Sequence, residues 1–190
     1  MKLARGPAVW SRIAVFGFAL FFLHPVVCAQ RKLLPAAEVW GGYSYLRFES
    51  TPLGFADQLN LNGWNGGVSL PDLYQGFGVA ADVSGNYASR LEQYNFLIGP
   101  QYSFQWKSLR ISGHGMFGKA RTRLRQPGST QLGPSTLNRS IAFGGALDLP
   151  LTDKISFRVL QGDYLRTSAF GIDQSNIRLS TGIIYRFGKH

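Results

Sequence analysis

Hydrophobic and polar residues alternate one by one along most of the chain beyond residue 30. In the final stretch NIRLSTGIIYRF, Ile177, Leu179 and Ile183 share one parity, and Arg178 and Ser180 share the other. Successive side chains of a β-strand point to opposite faces, so this period of two predicts a strand. Eight such runs occur, each of eleven or twelve residues: 37–48, 60–70, 76–87, 94–105, 108–118, 140–150, 155–166 and 176–187.

The length of these predicted strands and the links between them favour a membrane-spanning barrel. A tilted strand needs about 9–11 residues to cross a bilayer, whereas soluble strands most often have about 5–6 residues. The links contain 11, 5, 6, 2, 21, 4 and 9 residues, so longer and shorter links alternate. Outer-membrane barrels have long loops at the outer end and short turns at the periplasmic end. The pattern therefore predicts an antiparallel meander with both termini at the periplasmic end.

Most of the predicted strands have one bulky apolar face and one small polar face. In the third strand, Phe77 and Val79 alternate with Asp82 and Ser84 by parity. Small polar residues suit the narrow interior of an eight-stranded barrel, and the bulky face then contacts lipid. The sequence thus predicts an all-β fold, an eight-stranded antiparallel up-and-down transmembrane β-barrel over residues 37–187. Aromatic residues near the strand ends are expected in two interfacial girdles: Tyr45, Tyr87, Tyr94, Trp106 and Tyr185.

Two predicted strands depart from the regular alternation. In the seventh strand, the apolar parity that ends at Val159 continues into Gln161 and Asp163, which would then face lipid. A β-bulge near Leu160 would shift the register and turn Tyr164 outward. The first strand is mixed, because Trp40 shares its face with polar residues.

The first 29 residues have the features of a cleavable secretory signal peptide. Three basic residues precede an unbroken apolar run over 13–23, and small residues stand before a cleavage point after Ala29. Lipidation at Cys28 is an alternative, but the residues before it do not fit a lipoprotein signal. Cleavage leaves a short segment over 30–36, the barrel and a tail over 188–190. It also removes the chain's one cysteine, so no disulfide is expected.

Composition and charge indicate a compact domain that is not expected to bind nucleic acid. The chain is 45% hydrophobic and 16% charged, which is typical of a compact domain and not of a disordered one. The formal net charge is +10, and loss of the three basic residues of the signal would lower it to +7. An exported protein with this moderate charge is not expected to bind nucleic acid.

The chain resembles the OmpA-like and OmpX-like small outer-membrane β-barrel domains. The stretch VWGGYSYLRF is similar to the opening strand of that family, and LSTGIIYRFG is similar to its closing strand. The pieces LNGWNGGV, IRLSTGI and QGDYLRT resemble a barrel-only subgroup of bacterial proteins. This resemblance implies an outer-membrane location in a Gram-negative cell envelope. It also implies periplasmic chaperones and the barrel-assembly machinery as partners during biogenesis.

Charged residues on the predicted inner face suggest an ion-pair network in the lumen. The candidates are three acids and four bases: Glu38, Asp82, Asp148, Arg110, Arg158, Arg178 and Arg186. Buried charges are costly unless they are paired, so these groups should bind one another or trapped water. Such a network would stiffen the barrel as a plug. A selective polar channel is the alternative, although eight strands leave little lumen.

Basic residues are concentrated in the longest predicted loop, 119–139. They are Lys119, Arg121, Arg123, Arg125 and Arg139. Guanidinium groups bind phosphate and carboxylate oxygens with paired hydrogen bonds. An outer loop of this kind is expected to contact lipopolysaccharide. A plain solvated loop and a dedicated adhesive or receptor surface are the alternatives.

No catalytic, metal or cofactor motif stands out. His114 shares the predicted inner face with Ser112, and some barrel enzymes use His with Ser, but no acid is clearly placed to orient the imidazole. The stretch GFGVAA matches a dinucleotide fingerprint, but strand parity runs through it. The sequence therefore favours a non-enzymatic monomer with a structural, envelope-integrity or surface-interaction role through its outer loops. A barrel enzyme acting on lipid A or phospholipid, a narrow channel and a secreted lipocalin-like protein remain alternatives.

Overall fold

The computed structural model describes residues 37–48, 59–89, 91–125, 132–169 and 172–188. The predicted signal peptide, the segment over 30–36 and the end of the predicted tail lie outside these residues. Within the described part, no helix is long and apolar enough to span a membrane.

The described residues form eight strands in one closed antiparallel barrel. The strands are β1 (Ala37–Phe48), β2 (Leu59–Tyr74), β3 (Phe77–Tyr87), β4 (Leu91–Trp106), β5 (Leu109–Arg125), β6 (Leu132–Pro150), β7 (Ile155–Ala169) and β8 (Ile172–Phe187). Each strand pairs with its neighbours in chain order, and β1 pairs with β8 to close the barrel. Closure leaves no unpaired sheet edge, which is what a bilayer requires. The predicted eight-stranded up-and-down barrel is confirmed.

The described side chains of the barrel are mainly apolar outside and mainly polar inside. Phe117, Phe143 and Ile183 point outward and are 64%, 62% and 60% exposed. Asn86 and Asn95 point inward and are fully buried. This arrangement inverts the solvent preference of a soluble protein, because the large apolar groups can only be covered by lipid. The predicted assignment of the two faces is therefore confirmed.

Aromatic side chains surround the outer surface at both ends of the apolar belt. The girdle nearest the turns over 75–76, 107–108 and 151–154 contains Tyr102, Phe104, Trp106, Tyr185 and Phe187. The opposite girdle contains Tyr43, Trp64, Tyr87, Tyr94 and Tyr164, and in it the indole of Trp64 donates to the hydroxyl of Tyr87 at 3.2 Å. Rings with one polar atom suit the membrane–water interface. Because outer-membrane barrels have short turns at the periplasmic end, we assign the first girdle to that end and the second girdle to the outer end.

Both irregular strands have a specific explanation. In β7 the register shifts between Arg158 and Gln161, and Val159 and Leu160 both point outward. This bulge turns Tyr164 toward lipid and Asp163 into the lumen, as the sequence predicts.

In β1, the ring of Trp40 is buried inside the barrel. The guanidinium of Arg158 lies 5.0 Å from the centre of this ring. The backbone of β2 makes room for the indole at Gly67, where an added Cβ would lie 2.4 Å from the ring. The mixed face of β1 therefore supplies the lumen with a large ring that stacks on a cation.

The strands extend further at the outer end than the sequence predicts. β5 and β6 continue into the predicted loop over 119–139, which leaves only 126–131 between them. β7 and β8 leave 170–171 between them, which is shorter than the 151–154 link at the periplasmic end. The predicted alternation of longer and shorter links therefore holds from β1 to β7 and fails only at the last link, between β7 and β8. Strand pairing continues beyond the bilayer because polar side chains on the outer surface can face water there.

Candidate functional site

An ion-pair cluster fills the periplasmic half of the lumen. Arg110 donates to both carboxylate oxygens of Glu38 and, at 2.9 Å, to Asp148. Arg186 also donates to Glu38 at 2.9 Å, and Arg158 donates to Asp148 at 2.9 Å. Strand register produces these pairs, because Arg110 lies directly opposite Asp148 and Glu38 lies directly opposite Arg186. Each carboxylate in the cluster is thus shared by two guanidinium groups.

A second cluster lies around Arg178, whose side chain is fully buried. Its guanidinium contacts Asp82 at 2.6 Å and Asp163 at 2.7 Å, and it donates to the hydroxyl of Ser84 at 2.9 Å. Asp163 also binds Nε2 of His114 at 2.7 Å. The register again sets the main pair, because Asp163 lies opposite Arg178.

Gln161 joins the two clusters into one network. Its amide oxygen accepts from Arg158 at 2.7 Å, and its amide nitrogen donates to Asp163 at 2.9 Å. The network therefore contains all seven charged residues that the sequence proposes, together with Asp163, Gln161 and His114. Asp163 raises the acids to four, against four arginines, so the network is neutral when His114 is neutral. Asp163 was not among the lumen charges predicted from the sequence, although the predicted bulge near Leu160 turns this residue inward.

A glycine makes the centre of the network possible. Gly144 lies opposite His114 on one side and opposite Asp163 on the other. An added Cβ would lie 2.2 Å from Oδ1 of Asp163 and 2.4 Å from the carbonyl oxygen of Gly162. Only a residue without a side chain leaves room there for the contact between His114 and Asp163.

The outer half of the lumen is lined mainly by uncharged side chains. Amide and hydroxyl groups bind one another there, as in the contacts of Asn86 with Ser44 at 3.1 Å and of Asn176 with Thr167 at 3.0 Å. Fully buried apolar side chains pack among them, and we call these the apolar cap: Leu46, Phe48, Leu61, Leu91 and Leu165. This cap was not predicted from the sequence. Parity places its members on the inner face, and the apolar character of these residues is the signal that could have found it.

His114 is held as part of the network and not as part of a nucleophilic pair. The structure supplies the acid that the sequence analysis did not find, because Asp163 binds the imidazole. Within the described residues, however, no hydrogen bond joins His114 to Ser112, and the side chain of His114 is only 5% exposed. Nucleophilic catalysis needs the serine hydroxyl against the imidazole. The described residues also contain no group of three or more His, Cys, Asp and Glu arranged to hold a metal ion.

The basic residues predicted for a loop lie instead on the outer wall of the barrel. Lys119, Arg121 and Arg139 are exposed on β5 and β6, and Lys119 lies directly opposite Arg139. Arg123 is half-buried at 3.9 Å from Glu92. Arg125 ends β5, and its side chain lies outside the described part of the chain. The continuation of β5 into the predicted loop could have been recognised in the sequence, because the basic residues of KARTRLR alternate with Ala, Thr and Leu at strand spacing.

The inverted surface, the aromatic girdles and the filled interior are together typical of one structural class of membrane protein. The chain has the fold of the small eight-stranded outer-membrane β-barrels, in agreement with the location and the family resemblance predicted from its sequence.

Solved structures of this class match the chain over nearly their whole length. Neisserial surface protein A is 13% identical with a TM-score of 0.58, and the match covers 80% of this chain and 99% of that one. Ail, the attachment invasion locus protein of Yersinia pestis, is 16% identical with a TM-score of 0.56, and the match covers 82% and 100%. Another structure of Ail, with a TM-score of 0.51 and 16% identity, holds the heparin analogue sucrose octasulfate, and the match covers 80% and 98%. No protein-family model and no curated protein matches the chain in sequence.

Proposed function

We propose that this protein is a non-enzymatic outer-membrane barrel that supports envelope integrity or surface interaction through its outer hairpins. The filled lumen is the observation that carries this proposal. An ionic network, hydrogen-bonded amides and hydroxyls, and the apolar cap together fill the interior. Small barrels of eight strands are wide enough for side chains but not for a water-filled pore, which appears in barrels of about 16 strands.

The alternatives each lack a feature that their chemistry needs. A channel needs a continuous wet path, whereas paired charges and fully buried side chains occupy the described interior. A lipid-modifying enzyme needs an activated nucleophile where a lipid can reach it, whereas His114 and Asp163 face each other inside the lumen. A lipocalin-like carrier keeps its bulky apolar residues around an internal cavity, whereas most of those described in this barrel point outward and the few inside are buried against one another.

The long β5–β6 hairpin supports an interaction role. Its strands extend to Arg125 and from Leu132, beyond the outer aromatic girdle, and they expose cations on the outer wall. Ail, which shares the fold, has been solved with a polysulfated sugar, so barrels of this shape can present anion-binding groups. Biogenesis of the barrel would use periplasmic chaperones and the barrel-assembly machinery. The protein would act as a monomer in contact with outer-membrane lipids and lipopolysaccharide.

Spin labels and lipid analysis test the proposal. Labels on Phe77→Cys, Phe96→Cys and Ile183→Cys in outer-membrane vesicles should be quenched by dissolved oxygen and protected from a water-soluble nickel quencher. Asn95→Cys, whose side chain points into the lumen beside outward-facing Phe96, should be protected from both, and the wild-type chain controls for background labelling. Strong quenching by nickel at positions 77, 96 and 183 would exclude a membrane-spanning barrel. A covalent change in lipid A or phospholipid, found by mass spectrometry only in cells that express the protein, would contradict the non-enzymatic role.

A further inference from the structure

Three cations form a compact patch on the outer wall of β5 and β6. We propose that this wall patch, Lys119, Arg121 and Arg139, is a binding site for the phosphate groups of a lipid A-type phosphorylated glycolipid in the outer leaflet. The inference rests on the proposed outer-membrane function and adds a ligand and a position to it. It also moves the predicted lipopolysaccharide contact from a loop to a strand surface that faces the membrane.

The wall patch has unbalanced charge, unlike the other cations around it. Lys119 and Arg139 are direct cross-strand partners, and like charges in that position repel each other. Arg121 follows on the same face of β5. Within the described residues, none of the three has an ion-pair partner, whereas Arg123 lies near Glu92. Within the described residues no carboxylate lies beside these three cations, so they are available to an anion from outside the chain.

The position of the wall patch identifies where that counter-charge lies. Phe117, two residues before Lys119, is exposed in the apolar belt, and Ile141, two residues after Arg139, is exposed there too. Two residues of a strand span about 6.6 Å, which at a tilt of about 40° is about 5 Å along the membrane normal. The wall patch therefore begins at the level where the acyl chains end and headgroup phosphates begin.

The spacing of the wall patch suits a phosphate group. Direct cross-strand neighbours have Cβ atoms about 5 Å apart, and residues i and i+2 lie about 6.6 Å apart. Two arginines and one lysine at these separations can surround one phosphate with paired and single hydrogen bonds. Leu137, which lies opposite Arg121 and is 57% exposed, gives the same surface an apolar contact for a sugar or acyl group.

A matched pair of double variants tests the site. Lys119→Gln with Arg139→Gln removes two charges from the wall patch, and Lys107→Gln with Lys154→Gln removes two exposed charges from the periplasmic turns. The full-length barrel in detergent micelles is titrated with diphosphoryl lipid A, and bound lipid is counted by native mass spectrometry. The wild type and the turn variant should bind alike, and the patch variant should bind at least tenfold more weakly. Adding Arg121→Gln should weaken binding further.

Two more ligands show whether the wall patch binds the phosphates of a lipid or any soluble anion. Lipid A without its phosphates should bind the wild type at least tenfold more weakly than diphosphoryl lipid A, and sucrose octasulfate should not compete at equal concentration. Equal binding of lipid A by the patch and turn variants, or efficient competition by the soluble sulfated sugar, would overturn the proposal. Altered gel mobility of the unboiled protein, measured on the same samples, reports folding of the barrel. If the barrel is folded but the patch and turn variants bind lipid A equally, only the proposed site is refuted. If the chain does not enter micelles, the membrane function itself is refuted.

Discussion

Removing the guanidinium of Arg178 should destabilise the barrel severely. The variant Arg178→Met keeps most of the side-chain volume but leaves Asp82 and Asp163 as buried carboxylates without the cation that lies 2.6 Å and 2.7 Å from them. Loss of one partner from a buried ion pair costs about 3–5 kcal/mol. Because about 1.4 kcal/mol corresponds to a factor of ten, the unfolding equilibrium constant should rise by about two to three and a half powers of ten.

Denaturant titration in lipid vesicles measures this effect. Tryptophan fluorescence reports unfolding, because Trp40 leaves the lumen and Trp64 leaves the outer girdle when the barrel opens. Arg166→Met is the matched control, because Arg166 forms an exposed pair with Asp173 at 2.9 Å and should change the midpoint little. Changing Asp82→Asn and Asp163→Asn together with Arg178→Met should restore much of the lost stability, because no unpaired charge then remains. Equal midpoints for Arg178→Met and Arg166→Met would refute the claim that the buried network stabilises the barrel.

Three other results should follow from the same packing. Gly144→Ala should cost about 1–3 kcal/mol in the same titration through overpacking against Asp163, whereas Gly113→Ala, where the nearest atom would be 3.9 Å from the new Cβ, should cost much less. Phe48→Ala should lower stability by about 3–5 kcal/mol by emptying the apolar cap, and outward-facing Phe143→Ala should have a smaller effect. Raising salt from about 0.1 M to about 1 M should leave the denaturant midpoint unchanged because the network is buried, but should weaken lipid A binding to the wall patch.

The sequence determined the faces of the strands because period-two parity is a local property. Even the β7 bulge was predictable, since Gln161 and Asp163 could not remain on the lipid face. The ends of the strands were not predictable in the same way. Beyond the membrane both faces of a strand can be polar, so the alternation of apolar and polar residues disappears there. The hydrogen bonds between the strands nevertheless continue, and β5 extends to Arg125.

The ion pairs inside the lumen were harder to predict than the residues that face it. Parity identifies Glu38, Arg110 and Asp148 as inward-facing, but it does not say which of them meet. That depends on register and on the tilt of the strands, which together bring Glu38 of β1 against Arg110 of β5, a strand that is not its neighbour. Likewise, Phe48 and Leu61 were on the correct face, but their joint burial as a cap depends on how the barrel closes.

Arginine has two opposite environments in this barrel, and register explains both. Inside, Arg110 lies across from Asp148 and Arg178 lies across from Asp163, so pairing of the strands brings each cation its own counter-charge. On the outer wall, the same β5–β6 ladder that pairs Arg110 with an acid places Lys119 across from Arg139. An acid at position 119 or 139 would make the β5–β6 pairing more stable, because opposite charges across a strand pair stabilise it and like charges do not. The lumen network and the wall patch therefore differ in where their counter-charges come from: the first pairs its cations with acids of the same chain, and the second is the site that we propose for a phosphorylated lipid.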